Sequence, residues 1–131
     1  MNKQTLTIIE GCAHASKAGT AHFGDVVKAL TDAGVESYYA DYRGNVTTYY
    51  LPNGDAHSIA LVPPATPIGE AFDTAAIQAA IKAAQQGEVM FPEFLARSRA
   101  AGCVGYMVWL AGRHVTYFGR LGQTHVEPFP D

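Results

Sequence analysis

The segment FGDVVKALTDAGVESYYADYRGNVTTYYLPNG, residues 23–54, aligns without a gap to FPEFLARSRAAGCVGYMVWLAGRHVTYFGRLG, residues 91–122, at a constant offset of 68. Extended to 6–57 against 74–125, the alignment holds twelve identities in 52 positions; chance for this composition gives about four. Glycines and aromatics dominate the matches, among them Phe23/Phe91, Gly34/Gly102, Tyr38/Tyr106, Tyr49/Tyr117 and Gly54/Gly122. One histidine pair, His57/His125, recurs as well. The pattern predicts an internal duplication.

Within each copy the periodicity changes from helical to extended. Leu6, Ile9 and Ala13 share one helical face, as do Ile77, Ala80, Ile81 and Ala84,. Asp73 stands where an N-cap belongs, and Gly19 and Gly87 stand where a left-handed residue ends a helix,. A second helix carries Phe23, Val26, Val27 and Leu30 in one copy and Phe91, Phe94, Leu95 and Ser98 in the other. Pro92 suits a first helical turn, and Asp25 and Glu93 oppose the positive end of the helix dipole,. Three strands follow: 35–42, 46–51 and 56–62 in the first copy, then CVGYMVWL, HVTYFG and THVEPF in the second,. Asn53-Gly54 marks a tight hairpin,.

The predicted fold class is therefore α+β, two-layered, with a helix-helix-three-stranded antiparallel meander unit used twice about a pseudo-twofold axis. With 131 residues, 48% of them hydrophobic and 16% charged, the chain has the size and composition of one domain, 1–131. It divides into repeat 1 (1–62), a proline-rich connector PPATPIGEAF (63–72) and repeat 2 (73–131). A three-stranded meander alone is a poor independent sheet, so the copies should share one core. That core is expected to hold Leu6, Ile9, Phe23, Val27, Leu30, Ile77, Ile81, Phe91, Phe94, Leu95, Tyr106 and Val108. Strand 103–110 is apolar on both parities, which marks it as the best-buried strand,.

The local patterns 23–42, 91–110 and VTYFG at 115–119 resemble those of the YbcV/YdfO-like family, small prophage-associated proteins of unknown function. The resemblance covers nearly the whole chain, with Cys103 standing where that pattern more often has Val. It implies a phage-related setting and carries no catalytic residue.

Chemistry-bearing motifs are sparse. There is no G-x-S-x-G, P-loop or H-E-x-x-H sequence,. Cys12 and Cys103 lack CxxC spacing and are expected to be reduced, buried and inert in a cytoplasmic protein,. The pseudo-symmetric pair His57/His125 motivates one alternative, a small enzyme or metal-binding protein that brings the two imidazoles together. No third matched ligand accompanies them, so no metal and no cofactor is expected.

A net charge of −3 gives no general attraction to nucleic acid, and repeat 2, despite four arginines, is charge-balanced,. The opening segment has only the short apolar patch LTII, too short for a signal peptide, and no stretch is long enough for a membrane span,. Neither nucleic acid nor membrane is an expected partner. What remains is a non-enzymatic binding or interaction protein. All seven tyrosines fall in predicted strands. If the helices cover one sheet face, aromatic surface around Tyr39, Met107 and Trp109 is left for a homodimer partner, another protein or a small ligand, with His57 and His125 as further candidate contacts.

Overall fold

The computed structural model describes residues 1–130. Its elements run α1 (Lys3–Ala18), α2 (Phe23–Asp32), β1 (Ser37–Asp41), β2 (Val46–Tyr50), β3 (Ala56–Ala60), α3 (Thr74–Gln85), α4 (Phe91–Ala100), β4 (Cys103–Trp109), β5 (His114–Gly119) and β6 (Thr124–Pro128). Helix-helix-three-strand is thus used twice. α2 and α4 coincide residue for residue at offset 68, as do β3 and β6.

The caps explain where the helices start and stop. Asn2 accepts a hydrogen bond from the Thr5 N–H at 2.8 Å, and Asp73 accepts one from the Ala76 N–H at 3.0 Å,. The left-handed residues reproduce the duplication with unusual fidelity. Gly19/Gly87, Gly34/Gly102, Asn45/Arg113 and Gly54/Gly122 are four pairs at offset 68, with φ values of 74/73°, 88/88°, 56/60° and 94/83°. Only two of the eight are not glycine, and both close the first hairpin of their copy,.

All six strands form one antiparallel sheet in the order β3-β2-β1-β4-β5-β6. The copies meet through β1 and β4, where Tyr39 pairs with Met107. These two residues are also equivalent at offset 68, so the pseudo-twofold axis passes between them, through the middle of the sheet. Four helices cover one face. α1 packs on α2 and α4, and α3 packs on α4 and α2, which closes a ring around the axis.

Period-two alternation sorts the side chains. Tyr38, Ala40, Thr47, Tyr49, Tyr106, Val108, Val115 and Tyr117 point to the helices and are buried. β4 is the best-buried strand, as its composition predicts, although Met107 is half-buried and Trp109 is 39% exposed on the face without helices. Of the expected core, Ile9, Leu30, Ile77, Ile81, Phe94, Leu95, Tyr106 and Val108 are buried. Leu6, Phe23, Val27 and Phe91 are only half-buried. Phe23 and Phe91 each open a helix at the rim of an internal space, so one side of each ring has no protein neighbour to pack against.

Candidate functional site

That space is a cavity of about 850 Å³ between the helical ring and the sheet. Ligand pockets typically span roughly 300–1,000 Å³. Its wall is mostly apolar and obeys the duplication: Phe23 and Phe91, Tyr38 and Tyr106, Tyr49 and Tyr117 all line it. Matched residues from both copies surround one space only if that space lies on the axis relating them.

The sheet register builds the floor. His57, Tyr49 and Tyr38 stand in one row across β3, β2 and β1, and His125, Tyr117 and Tyr106 form the equivalent row across β6, β5 and β4. The Tyr38 and Tyr49 rings lie 5.2 Å apart, the Tyr106 and Tyr117 rings 5.6 Å, and Tyr38 meets Tyr106 across the axis at 6.5 Å. Phe94 from α4 sits 6.3 Å from both Tyr106 and Tyr117. All four tyrosines are more than nine-tenths buried. Yet among the described residues none of their phenol oxygens has a hydrogen-bond partner in the protein, in contrast to the fifth buried tyrosine, Tyr42, whose hydroxyl meets Ser98 Oγ at 2.7 Å. Four phenols thus offer their hydrogen-bonding capacity to the cavity. Burial holds all four well above the ordinary tyrosine pKa, so they are neutral at physiological pH,.

The histidine rows end at opposite edges of the sheet. His57 on β3 and His125 on β6 are separated by five strand spacings, roughly 24 Å. The expectation of an imidazole pair is therefore corrected: the axis relates them without bringing them together. Each instead faces its own carboxylate. His57 Nε2 lies 3.3 Å from Glu10 of α1, out of line for a hydrogen bond, and this buried nitrogen has no partner among the described residues. His125 Nε2 donates to Glu127 Oε1 of the same strand at 3.0 Å. The carboxylates themselves are not equivalent, since Glu10 corresponds to Gln78 and Glu127 to Ile59.

No group of three or more His, Cys, Asp or Glu side chains among the described residues is arranged to hold a metal ion. Cys103 is fully buried, donates to the Gly105 carbonyl at 3.2 Å and has its thiol pushed up to about 11 by burial. Cys12 is half-buried in the cavity wall, and burial raises its thiol too. Neither is a ready thiolate. Of the sequence-derived candidates, His57 lines the cavity and His125 stands beside it through Tyr117 and Glu127, whereas Tyr39, Met107 and Trp109 lie on the opposite sheet face. The buried residues that matter most, Tyr38, Tyr49, Tyr106 and Tyr117, were visible as conserved repeats of the unit, but nothing in their spacing reveals a space above them.

A family model described as "Protein of unknown function (DUF1398)" matches residues 13–127. The chain belongs to this family. The match begins within α1 and ends within β6, so it spans most of both copies. Uncharacterized proteins Mb2035 of Mycobacterium bovis and Rv2012 and MT2067 of Mycobacterium tuberculosis are each 42% identical to this chain over 59 residues. That stretch is 45% of this chain and 36% of each relative, so the likeness covers only about a third of the curated relatives' length. No helix among the described residues is long and apolar enough to cross a membrane.

Proposed function

We propose that this DUF1398 protein is a non-enzymatic binding domain whose axial cavity takes one small, largely apolar molecule. The observation that carries this is a space of about 850 Å³ floored by four buried tyrosine rings, whose hydroxyls open onto it and have no protein hydrogen-bond partner among the described residues. Their oxygens are open to the cavity, since His57 Nε2 is the one buried side-chain nitrogen or oxygen without a partner among the described residues, and a bound molecule that meets them replaces water with direct hydrogen bonds. Titration with the neutral fluorophore Nile red tests the proposal. Saturable binding at one site per chain is expected, abolished by Ala84→Phe, which fills the wall between α3 and the sheet. A folded protein with no saturable signal refutes it.

The bare sheet face supports a second proposal, self-association through Tyr39, Met107 and Trp109. Trp109 Nε1 already donates to Thr116 Oγ1 at 3.2 Å, so its exposed ring presents an apolar surface without an unmet polar group. Tyr39 and Met107 straddle the axis on this face, which suits contact with a second copy about a shared twofold. Sedimentation across a concentration series is expected to give a dimer that Trp109→Glu dissociates; a strict monomer at all concentrations overturns it. We further propose a cytoplasmic setting, supported by two free thiols,, and a prophage connection, supported by the resemblance to YbcV/YdfO-like proteins.

A further inference from the structure

We propose that the molecule held in the axial cavity is a lipophilic organic cation, an inference that rests on the cavity's being a binding site. Three features of the wall point the same way. The first is aromatic density: Tyr38, Tyr49, Phe94, Tyr106 and Tyr117 form one contiguous group with centroid separations of 5.2 to 6.5 Å. Aromatic faces carry negative quadrupole charge and attract cations within about 6 Å, most strongly where water is excluded.

The second is the sign of the fixed charge. Glu127 is the one acidic side chain on the helix-facing side of the described sheet, at a position where the other copy has Ile59. His125 donates to its Oε1, which holds the carboxylate in place while leaving the second oxygen free of protein hydrogen bonds among the described residues. Glu10 of α1 adds a second carboxylate at the opposite edge, beside His57 and itself 64% exposed. Lys17 is exposed to solvent as Glu10 is, and no arginine lines the wall, which leaves the less exposed Glu127 as the fixed charge facing the space. Three histidines, His14, His22 and His57, also line the wall, and His57 faces Glu10.

The third is the character of the rest of the wall. It is mostly apolar, and no group of three or more His, Cys, Asp or Glu among the described residues is arranged to replace the hydration shell of an inorganic ion,. The cation must therefore bring its own hydrocarbon surface. Phenols donate and accept equally well, so they serve either sign of ligand; Glu127, the less exposed carboxylate, decides between them. An anion in this space would lie beside Glu127 in a medium where like charges repel more strongly than in water.

Tetraphenylphosphonium and tetraphenylborate make the test, because they share size and shape and differ in the sign of charge. Calorimetric titration of the full chain in sodium buffer is expected to show the phosphonium binding at least about tenfold more tightly than the borate. Glu127→Gln, alone and combined with Glu10→Gln, is expected to lower phosphonium affinity by about five- to tenfold more than it changes Nile red affinity. Borate binding as tight as or tighter than phosphonium binding overturns the cation assignment, as does phosphonium affinity indifferent to the double substitution. If Nile red binds and neither ion does, the cation assignment falls and the cavity remains a binding site. If none of the three binds, both fall.

Discussion

Tyr42 and Ser98 make the duplication testable at the level of packing. Ser98 is fully buried in α4 and Tyr42 is 1% exposed just after β1. Ser98 Oγ donates to the Leu95 carbonyl at 3.2 Å and meets the Tyr42 hydroxyl at 2.7 Å. At offset 68 the equivalents of Tyr42 and Ser98 are Leu110 and Leu30, both buried. One copy thus places a large and a small residue where the other places two of intermediate size. Tyr42→Phe removes a single buried hydrogen bond and is expected to cost about 1 kcal/mol. Ser98→Leu overpacks a filled site at about 1–3 kcal/mol and orphans the phenol at about 1–3 kcal/mol more. Tyr42→Leu leaves a void beside Ser98, with a cost of about 2–3 kcal/mol. Combining Tyr42→Leu with Ser98→Leu rebuilds the arrangement of the other copy, and the double variant should be at least about 2 kcal/mol more stable than the sum of the singles predicts. Urea unfolding of the four proteins measures the cycle. Additivity within about 0.5 kcal/mol would mean that the copies share a backbone without sharing a packing scheme, and the equivalence used throughout would fail inside the core.

Three further outcomes are expected. Phe94→Ala deletes a buried ring that touches both Tyr106 and Tyr117 and should cost about 3–5 kcal/mol in denaturant titration; a loss under about 1 kcal/mol would mean that the cavity already leaves that ring idle. Gly34 and Gly102 share φ = 88°, but a Cβ at Gly34 meets nothing, whereas one at Gly102 would lie 2.1 Å from the Ala71 carbonyl oxygen in the connector. Gly34→Ala should therefore cost about 1–2 kcal/mol of left-handed strain, and Gly102→Ala distinctly more in the same assay. Alkaline unfolding follows from the phenols: their folded pKa values lie above the unfolded value near 10, so the stability they confer is fully present below about pH 10 and is lost as pH rises through the folded values,. Phenolate absorbance should consequently appear in a cooperative step together with loss of the circular dichroism signal, whereas a gradual rise with the fold intact would contradict burial of the four.

Local chemistry made much of the fold legible. Asp73 reads as an N-cap from its type and place, and the paired glycines announce the turns because L side chains resist positive φ,. Asn45 and Arg113 occupy the same conformation with far less to advertise it, Arg113 least of all. The strand limits were drawn wide: Glu36 and Tyr42 lie outside β1, yet the Glu36 N–H bonds the Tyr50 carbonyl and the Tyr42 N–H bonds the Val104 carbonyl, so the extended pattern outlasts the ladder. The site was far less legible. Alternation says that Tyr38 and Tyr106 face the helices, but whether the helices close onto them depends on the length and crossing of four separate elements. A ring of helices around an axis leaves its centre open, and no single residue encodes that.

The histidines show why equivalence was a poor guide to contact. A twofold axis separates equivalent residues by twice their distance from it, so only those near the axis can act together. Tyr39 and Met107 touch because β1 and β4 flank the axis; His57 and His125 are as far apart as the sheet permits because β3 and β6 are its edges. Any cooperation between the copies must therefore occur in the axial cavity. There the two copies agree on aromatic rings and disagree on charge, with Glu127 against Ile59 and Lys17 against Gln85, while Glu10 has no equivalent in the wall. The two carboxylates stand at opposite edges of the sheet, Glu10 beside His57 and Glu127 beside His125, so a ligand centred on the axis has one carboxylate towards each end.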